Sequence, residues 1–313
     1  MNEKLSNLPS GVRLAVSPLS WANDVLEDLG ADISLKTCLD DAASVGYQGV
    51  ELGRKLPRDF KTLAPLLSDR GLALASGWHS GSLAEYDVDA EMAAVADHAK
   101  LLRDMGSSVM VYGEVAMMTP GAPLDAQMSA RRLMPKEDFA AYGARLTDFG
   151  MRLRGEYGLA LAYHHHLMMV AETFDEISSV FDNSGASVGL LLDTGHATAA
   201  GFDYTRLIER FDDRIAHIHL KDVRGPVMAE VRSGDLSFNT GVRKGMFTVP
   251  GDGIIDFAPL ATFVRQSGYR GWLVVEAEQD PALTPPLPAV TAAFNHVLDT
   301  LANTPVHQDE NHE

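Results

Sequence analysis

A single cysteine in 313 residues, Cys38, has no partner for an intrachain disulfide and offers too little sulfur for a thiolate metal centre. It reads as a small hydrophobe buried in a helix, in a protein expected in the reducing cytoplasm. Basic residues are also scarce: 26 Lys and Arg stand against 43 Asp and Glu, a formal charge of −17. Nucleic acids and anionic membranes need a clustered positive surface, so neither is expected as a partner. No run approaches the roughly 18 apolar residues that cross a bilayer, and residues 1–10 lack the continuous apolar stretch of a signal peptide. No glycine-rich phosphate loop with its Lys-Ser/Thr and no Gly-x-Gly-x-x-Gly opening a helix is found, so no nucleotide cofactor is implied.

What the chain has is alternation. Short aliphatic runs at Val12–Val16, Gly49–Leu52, Leu72–Ser76, Ser108–Tyr112, Leu159–Tyr163, Val188–Leu192, Ile215–Leu220 and Trp272–Glu276 are separated by helical patterns such as Leu35–Val45, Asp89–Met105, Lys136–Tyr157 and Phe257–Ser267. Near-continuous hydrophobic strands alternating with helices imply a parallel sheet covered by helices, and eight is the number that closes it. The expected fold is α/β, a single (β/α)8 TIM barrel over residues 11–302, followed by a polar, frayed tail over 303–313. Two connections are long, Gly113–Pro135 after strand four and Val223–Pro250 after strand seven. Both leave the strand ends that carry active sites in such barrels, so both are expected to cover a substrate.

The last four strands all end in metal-ligand residue types: His164-His165-His166, then Asp193, His219 and Glu276. Strand ends in a parallel barrel lie about 5 Å apart, so inward side chains from neighbouring strands converge. Alone, Asp193 reads as a helix N-cap and Glu276 as a salt-bridged rim residue. Four in succession predict a shared divalent ion held by His164, Asp193, His219 and Glu276, with His165 as the alternative first ligand. His217 shares a face with His219 but sits a layer lower. Imidazole with carboxylate suits several transition metals, and Mn²⁺ or Co²⁺ is the expectation.

These residues resemble a known family. Asp193-Thr194-Gly195-His196, His217-Ile218-His219-Leu220-Lys221-Asp222, Val249-Pro250-Gly251-Asp252-Gly253 and Val275-Glu276 look like the xylose-isomerase-like sugar isomerases and epimerases. Within that family the chain is most similar to the inosose dehydratases, through Ser20-Trp21-Ala22-Asn23-Asp24, Glu51-Leu52-Gly53, Ser76-Gly77-Trp78 and Tyr163-His164-His165-His166. The likeness covers about residues 11–300. Ligands in the wider family are usually Glu, Asp, His and Glu, so His164 is a departure. Leu167-Met168-Met169 replaces the usual Met-Gly-Thr, and Arg54 stands where Asn usually precedes the Lys matching Lys55.

The resemblance implies a lyase removing water from 2-keto-myo-inositol or a related keto-cyclitol through an enediolate, with metal Lewis-acid help. A base takes the α-proton and an acid protonates the departing hydroxyl; Glu51, His196 and Lys221 are the candidates for proton transfer. Trp21, Asn23, Trp78, His165, His166 and Asp252 are the candidates for holding the ring. An epimerase or isomerase of a keto-sugar, or an eliminase of a 3-keto-glycoside, would use the same site, and a non-catalytic polyol binder is the remote reading. A homo-oligomer is compatible with all of these.

Overall fold

The computed structural model describes residues 3–304. Ten strands lie along them: β1 (Val12–Val16), β2 (Gly49–Leu52), β3 (Ala73–Gly81), β4 (Val109–Glu114), β5 (Ala160–His164), β6 (Val188–Asp193), β7 (Ile215–Leu220), β8 (Asp222–Val223), β9 (Phe247–Thr248) and β10 (Gly271–Val275). All but β8 and β9 form a closed parallel barrel, with β1 bonded to both β2 and β10. The chain is thus the expected eight-stranded α/β barrel. The expected polar tail falls almost wholly at residues 305–313, outside the described residues; before it, a helix runs Pro286–Asn303.

Alternation along each strand sorts side chains into two compartments. Outward residues such as Leu14, Val16, Leu161, Tyr163, Leu190, Leu192, Ile218 and Leu220 pack beneath the helices in one large core. Inward residues form two small plugs, Ala15, Ala75, Trp272 and Val274 on one side and Val109, Val111, Ala162 and Leu191 on the other. Gly49 leaves the room that Trp272 fills, since a Cβ there would stand 2.7 Å from the indole. Surrounding helices begin on side-chain caps at Ser34, Asp59, Asp87 and Thr173, each worth about 1 kcal/mol.

Two departures from regularity shape the mouth of the barrel. Val50 pairs with Leu74 but Leu52 with Gly77, so β3 carries one extra residue there. Such a bulge re-aims the side chains beyond it, and β3 continues to Gly81 rather than stopping at Ser76. The connection after β7, expected as a loop, instead folds into helices Gly225–Ser233 and Phe238–Arg243 framed by the β8–β9 ribbon. It meets the excursion after β4 through the Gln127–Ser237 bridge and the hydrogen bond from Ser129 N to Asp235 Oδ1 (2.9 Å). Met118, Leu124, Met228, Val231, Phe238 and Phe247 give the two excursions a small core of their own.

Candidate active site

His164, Asp193, His219 and Glu276 lie on the inward face at neighbouring strand ends, following Ala162, Leu191, His217 and Val274 by the two-residue repeat. Asp193 pairs in register with His219, which pairs with Val274. One ligand atom from each of the four lies within 4.8 Å of the others. His164 Nε2 is 3.5 Å from Asp193 Oδ2, and His219 Nδ1 is 3.6 Å from that oxygen and 3.2 Å from Glu276 Oε2.

The hydrogen bonds around the quartet leave its converging atoms bare. His164 Nδ1 is 2.6 Å from the His165 carbonyl and donates to it, which frees Nε2 as an acceptor. Asp193 divides its oxygens: Oδ1 caps the helix Thr194–Ala199 by accepting His196 N–H at 2.7 Å, while Oδ2 faces the cluster. The N-cap and the ligand position are therefore compatible in one residue. Asp193 Oδ2 and His219 Nδ1 are both buried without a hydrogen-bond partner. Two adjacent orphaned polar atoms in a native core need an explanation, and two imidazoles with two carboxylates form a donor set suited to a divalent transition metal. The residues fit such an ion.

Around the quartet stand further charged groups. Glu51 Oε1 receives Ser76 Oγ, His217 Nε2 (3.0 Å) and His219 Nε2 (3.1 Å). Burial alone would raise the Glu51 pKa, yet the His219 and His217 imidazoles hold it well below the usual carboxylate range. By binding His219 Nε2–H, Glu51 turns the bare Nδ1 toward Asp193 and Glu276. Lys221 Nζ, fully buried, reaches Glu276 Oε1 (2.6 Å), Glu278 Oε1 (2.9 Å) and His196 Nε2 (3.0 Å). Burial works against the ammonium, but Glu276, Glu278 and Asp193 outweigh it and push the pKa up, so Lys221 stays charged.

Above the quartet opens a cavity of about 480 Å3. Its polar wall includes Asn23, Glu51, His164, His166, His219, Glu276 and Glu278; the rest is mostly apolar. His166 Nδ1 donates to the Leu167 carbonyl at 2.6 Å, leaving Nε2 as an acceptor, and burial holds its pKa down. Trp78 sits edge-on to His164 with ring centroids 5.6 Å apart. Its indole rests where Gly113 has no side chain: a Cβ there would lie 1.9 Å from the ring.

Residues 39–299 match the family model of the xylose isomerase-like TIM barrels. The chain belongs to this family. It is 44% identical to the rhizopine catabolism protein MocC of Rhizobium meliloti over 88% of its own length and 84% of that protein. It is 37% identical to an inosose dehydratase of Lacticaseibacillus casei, over 94% of this chain and 98% of the relative. Among solved structures, the probable 3-DHS dehydratase AsbF from Bacillus anthracis superposes with a TM-score of 0.67 at 13% identity, covering 91% and 98% of the two chains. As a homologue of the inosose dehydratases over nearly its whole length, the chain is an enzyme of the lyase class.

Within this xylose isomerase-like barrel the residues singled out from sequence separate by position. Asn23, Glu51, Trp78 and His166 line the cavity beside the quartet. His165 follows Leu161 and Tyr163 outward, accepts Asp193 N–H at 3.1 Å and packs against Phe202, so period-two alternation takes it away from the cavity. Trp21 is buried toward the helices, its Nε1 donating to Asp41 at 2.9 Å. Asp252 is tied to Arg224 (2.6 Å) and Thr248 (2.7 Å) outside the cavity. His196 and Lys221 lie behind the wall rather than on it. Sequence reasoning passed over Ser76 and Glu278, and Asp222, which accepts N–H groups from Gly251, Gly253 and Ile255 and so holds the turn that carries Asp252. Glu278 had a signal: it is two residues beyond Glu276, on the same face had the strand continued.

Proposed function

We propose that the chain is a metal-dependent dehydratase that removes water from 2-keto-myo-inositol or a close keto-cyclitol. The observation that carries this is the buried quartet His164, Asp193, His219 and Glu276 with its two orphaned atoms beneath a cavity, in a chain related throughout to inosose dehydratases. Mn²⁺ or Co²⁺ suits the four ligands. Bound there, the ion supplies Lewis-acid polarisation of the substrate ketone and makes the neighbouring C–H acidic.

Proton transfer is assigned to His166. Its Nε2 is bare, faces the cavity and is uncharged at neutral pH, the state a general base needs. His166 takes the proton from the carbon beside the ketone. The imidazolium then returns that proton to the β-hydroxyl, which departs as water. One group serves both steps, because the proton lost from carbon is the one the leaving oxygen requires. Glu51, held by three donors, orients His219 and is a poor proton acceptor. Lys221 balances the charge of Glu276 and Glu278, with His196 completing its hydrogen bonds. Asn23 uses its carbonyl oxygen on Val25 and Leu26 N–H, which leaves its amide N–H groups for ring hydroxyls. The protein acts on a small molecule, and its oligomeric state is independent of this reading.

The test is incubation of Mn²⁺-loaded protein with 2-keto-myo-inositol in heavy water, followed by mass spectrometry. Loss of one water is the expected product. An isomer of unchanged skeleton with deuterium wash-in would assign the site to epimerisation instead. No exchange and no product would overturn the catalytic reading.

A further inference from the structure

Proton transfer through His166 leaves one carboxylate of the cavity without a task. Glu278 lines the cavity and is 7% exposed. Its Oε1 accepts from Lys221 Nζ at 2.9 Å, while Oε2 has no hydrogen-bond partner among the described residues. Ala277 and Gln279 on either side are fully buried, which holds the segment against the barrel mouth. A partner for Oε2 therefore has to come from within the cavity. As a carboxylate paired with an ammonium, Glu278 has only acceptors to offer, and a ring hydroxyl brings the hydrogen it needs.

Which hydroxyl follows from the distance to His166. One nitrogen of His166, one of His196 and one carboxylate oxygen of Glu278 lie within 4.8 Å of one another. Lys221 Nζ, 3.0 Å from His196 Nε2 and 2.9 Å from Glu278 Oε1, already occupies the place a second cation would take in this trio. Two groups that each bond an oxygen at about 2.8 Å can share it across a gap of up to roughly 5.6 Å. One hydroxyl can therefore meet His166 and Glu278 together. Resting on the dehydratase reading, we propose that Glu278 is a further catalytic residue, the acceptor that holds the departing β-hydroxyl.

The two contacts divide the work. Glu278 accepts the hydroxyl's own hydrogen, which turns the oxygen lone pairs toward His166. The His166 imidazolium gives its proton to one of them, and the C–O bond breaks with its electron pair going to oxygen. The pair left at the α-carbon moves into the new C=C bond. The departing water carries one hydrogen from His166 and the one bonded to Glu278, so Glu278 neither gains nor loses a proton. Orientation of a reacting group in this way is a recognised source of rate. Lys221 also reaches Glu276 Oε1 at 2.6 Å, so the hydroxyl acceptor and a member of the quartet are set on a single ammonium.

The experiment compares Glu278→Gln with the parent, both saturated with Mn²⁺, on 2-keto-myo-inositol and on the analogue carrying fluorine in place of the departing hydroxyl. Water loss should slow about ten- to a hundredfold in the variant, the worth of one hydrogen bond to a charged group. Loss of hydrogen fluoride should not slow, because fluorine has no hydrogen for Glu278 to accept and leaves as fluoride. Equal slowing of both eliminations marks a purely structural role and overturns the assignment. Unaltered water loss in E278Q also overturns it and leaves the dehydratase standing. A parent that releases no water from the ketone overturns the dehydratase reading and this assignment with it. Should E278Q fail to fold, Glu278→Asp keeps the charge beside Lys221, withdraws both oxygens by one methylene and is read by the same two rates.

Discussion

Replacing Lys221 by Met removes a buried positive charge while keeping a long side chain to fill its place against Phe247, whose ring lies 4.8 Å from Nζ. Glu276, Glu278 and His196 each lose a hydrogen bond of 2.6–3.0 Å. Breaking a buried ion pair from one side costs about 3–5 kcal/mol, because the remaining charge stays desolvated and unpaired. At about 1.5 °C per kcal/mol for a chain of this size, the melting temperature should fall by roughly 5–8 °C. A double-mutant cycle identifies the cause. K221M/E278Q removes one stranded carboxylate along with the ammonium, so its loss should be smaller than the sum of the single losses by about 1 kcal/mol or more. Thermal melts and urea titrations of the metal-free proteins measure both quantities. A K221M protein melting within about 1 °C of the parent, or strictly additive variants, would refute the charge-balance argument.

Asp193→Asn keeps an oxygen for the His196 N–H but puts an amide where Oδ2 converges with the other ligands; Mn²⁺ affinity, read by titration and metal analysis, should drop at least tenfold. Gly113→Ala introduces a Cβ where the Trp78 ring lies 1.9 Å away. Trp78 is 37% exposed while Trp21 and Trp272 are each at 1%, so iodide quenching of indole fluorescence should change, and an unaltered profile would contradict the seat assigned to Gly113. Burial lifts Glu114 to a pKa of about 7 against the donors Tyr112, Ala116 N and Ala84 N. A carboxyl whose pKa is raised by folding stabilises fully below its unfolded value and loses that contribution as pH rises through the folded one, here between about 4.5 and 7. The stability of the parent should therefore decline across that window by up to roughly 3 kcal/mol relative to Glu114→Gln, and parallel pH profiles in urea unfolding would show the argument to be wrong.

The convergence of His164, Asp193, His219 and Glu276 was legible because chemistry and periodicity coincide on β5, β6, β7 and β10. Each strand is a near-continuous apolar run, so a polar residue at its end stands out, and parity then selects the inward one. Parity also decides between His164 and His165, once Ala162 is known to face inward. The wall on β3 was not legible. A one-residue bulge between Val50 and Leu52 shifts the pairing, and nothing in the run Leu72–Ser76 announces it. Helix Phe238–Arg243 is six residues long, too short for a 3.6-residue period to declare itself, so the segment after β7 read as a loop. Glu51, His196 and Lys221 were recognisable as unusual, but that Glu51 accepts from His219 and that Lys221 reaches Glu276, Glu278 and His196 depends on atom positions the sequence does not carry. Asp252 drew notice through its Gly-flanked turn, whereas the turn is held from a distance by Asp222, three of whose bonds span about 30 residues.

The contact between Gln127 and Ser237, with Ser129 on Asp235, ties two segments more than a hundred positions apart into one plate over the doorway. Neither half can swing aside alone without breaking that seam. Displacing the first segment, which supplies Val115, Met118, Pro123 and Leu124 to the cavity wall, therefore disturbs the second as well.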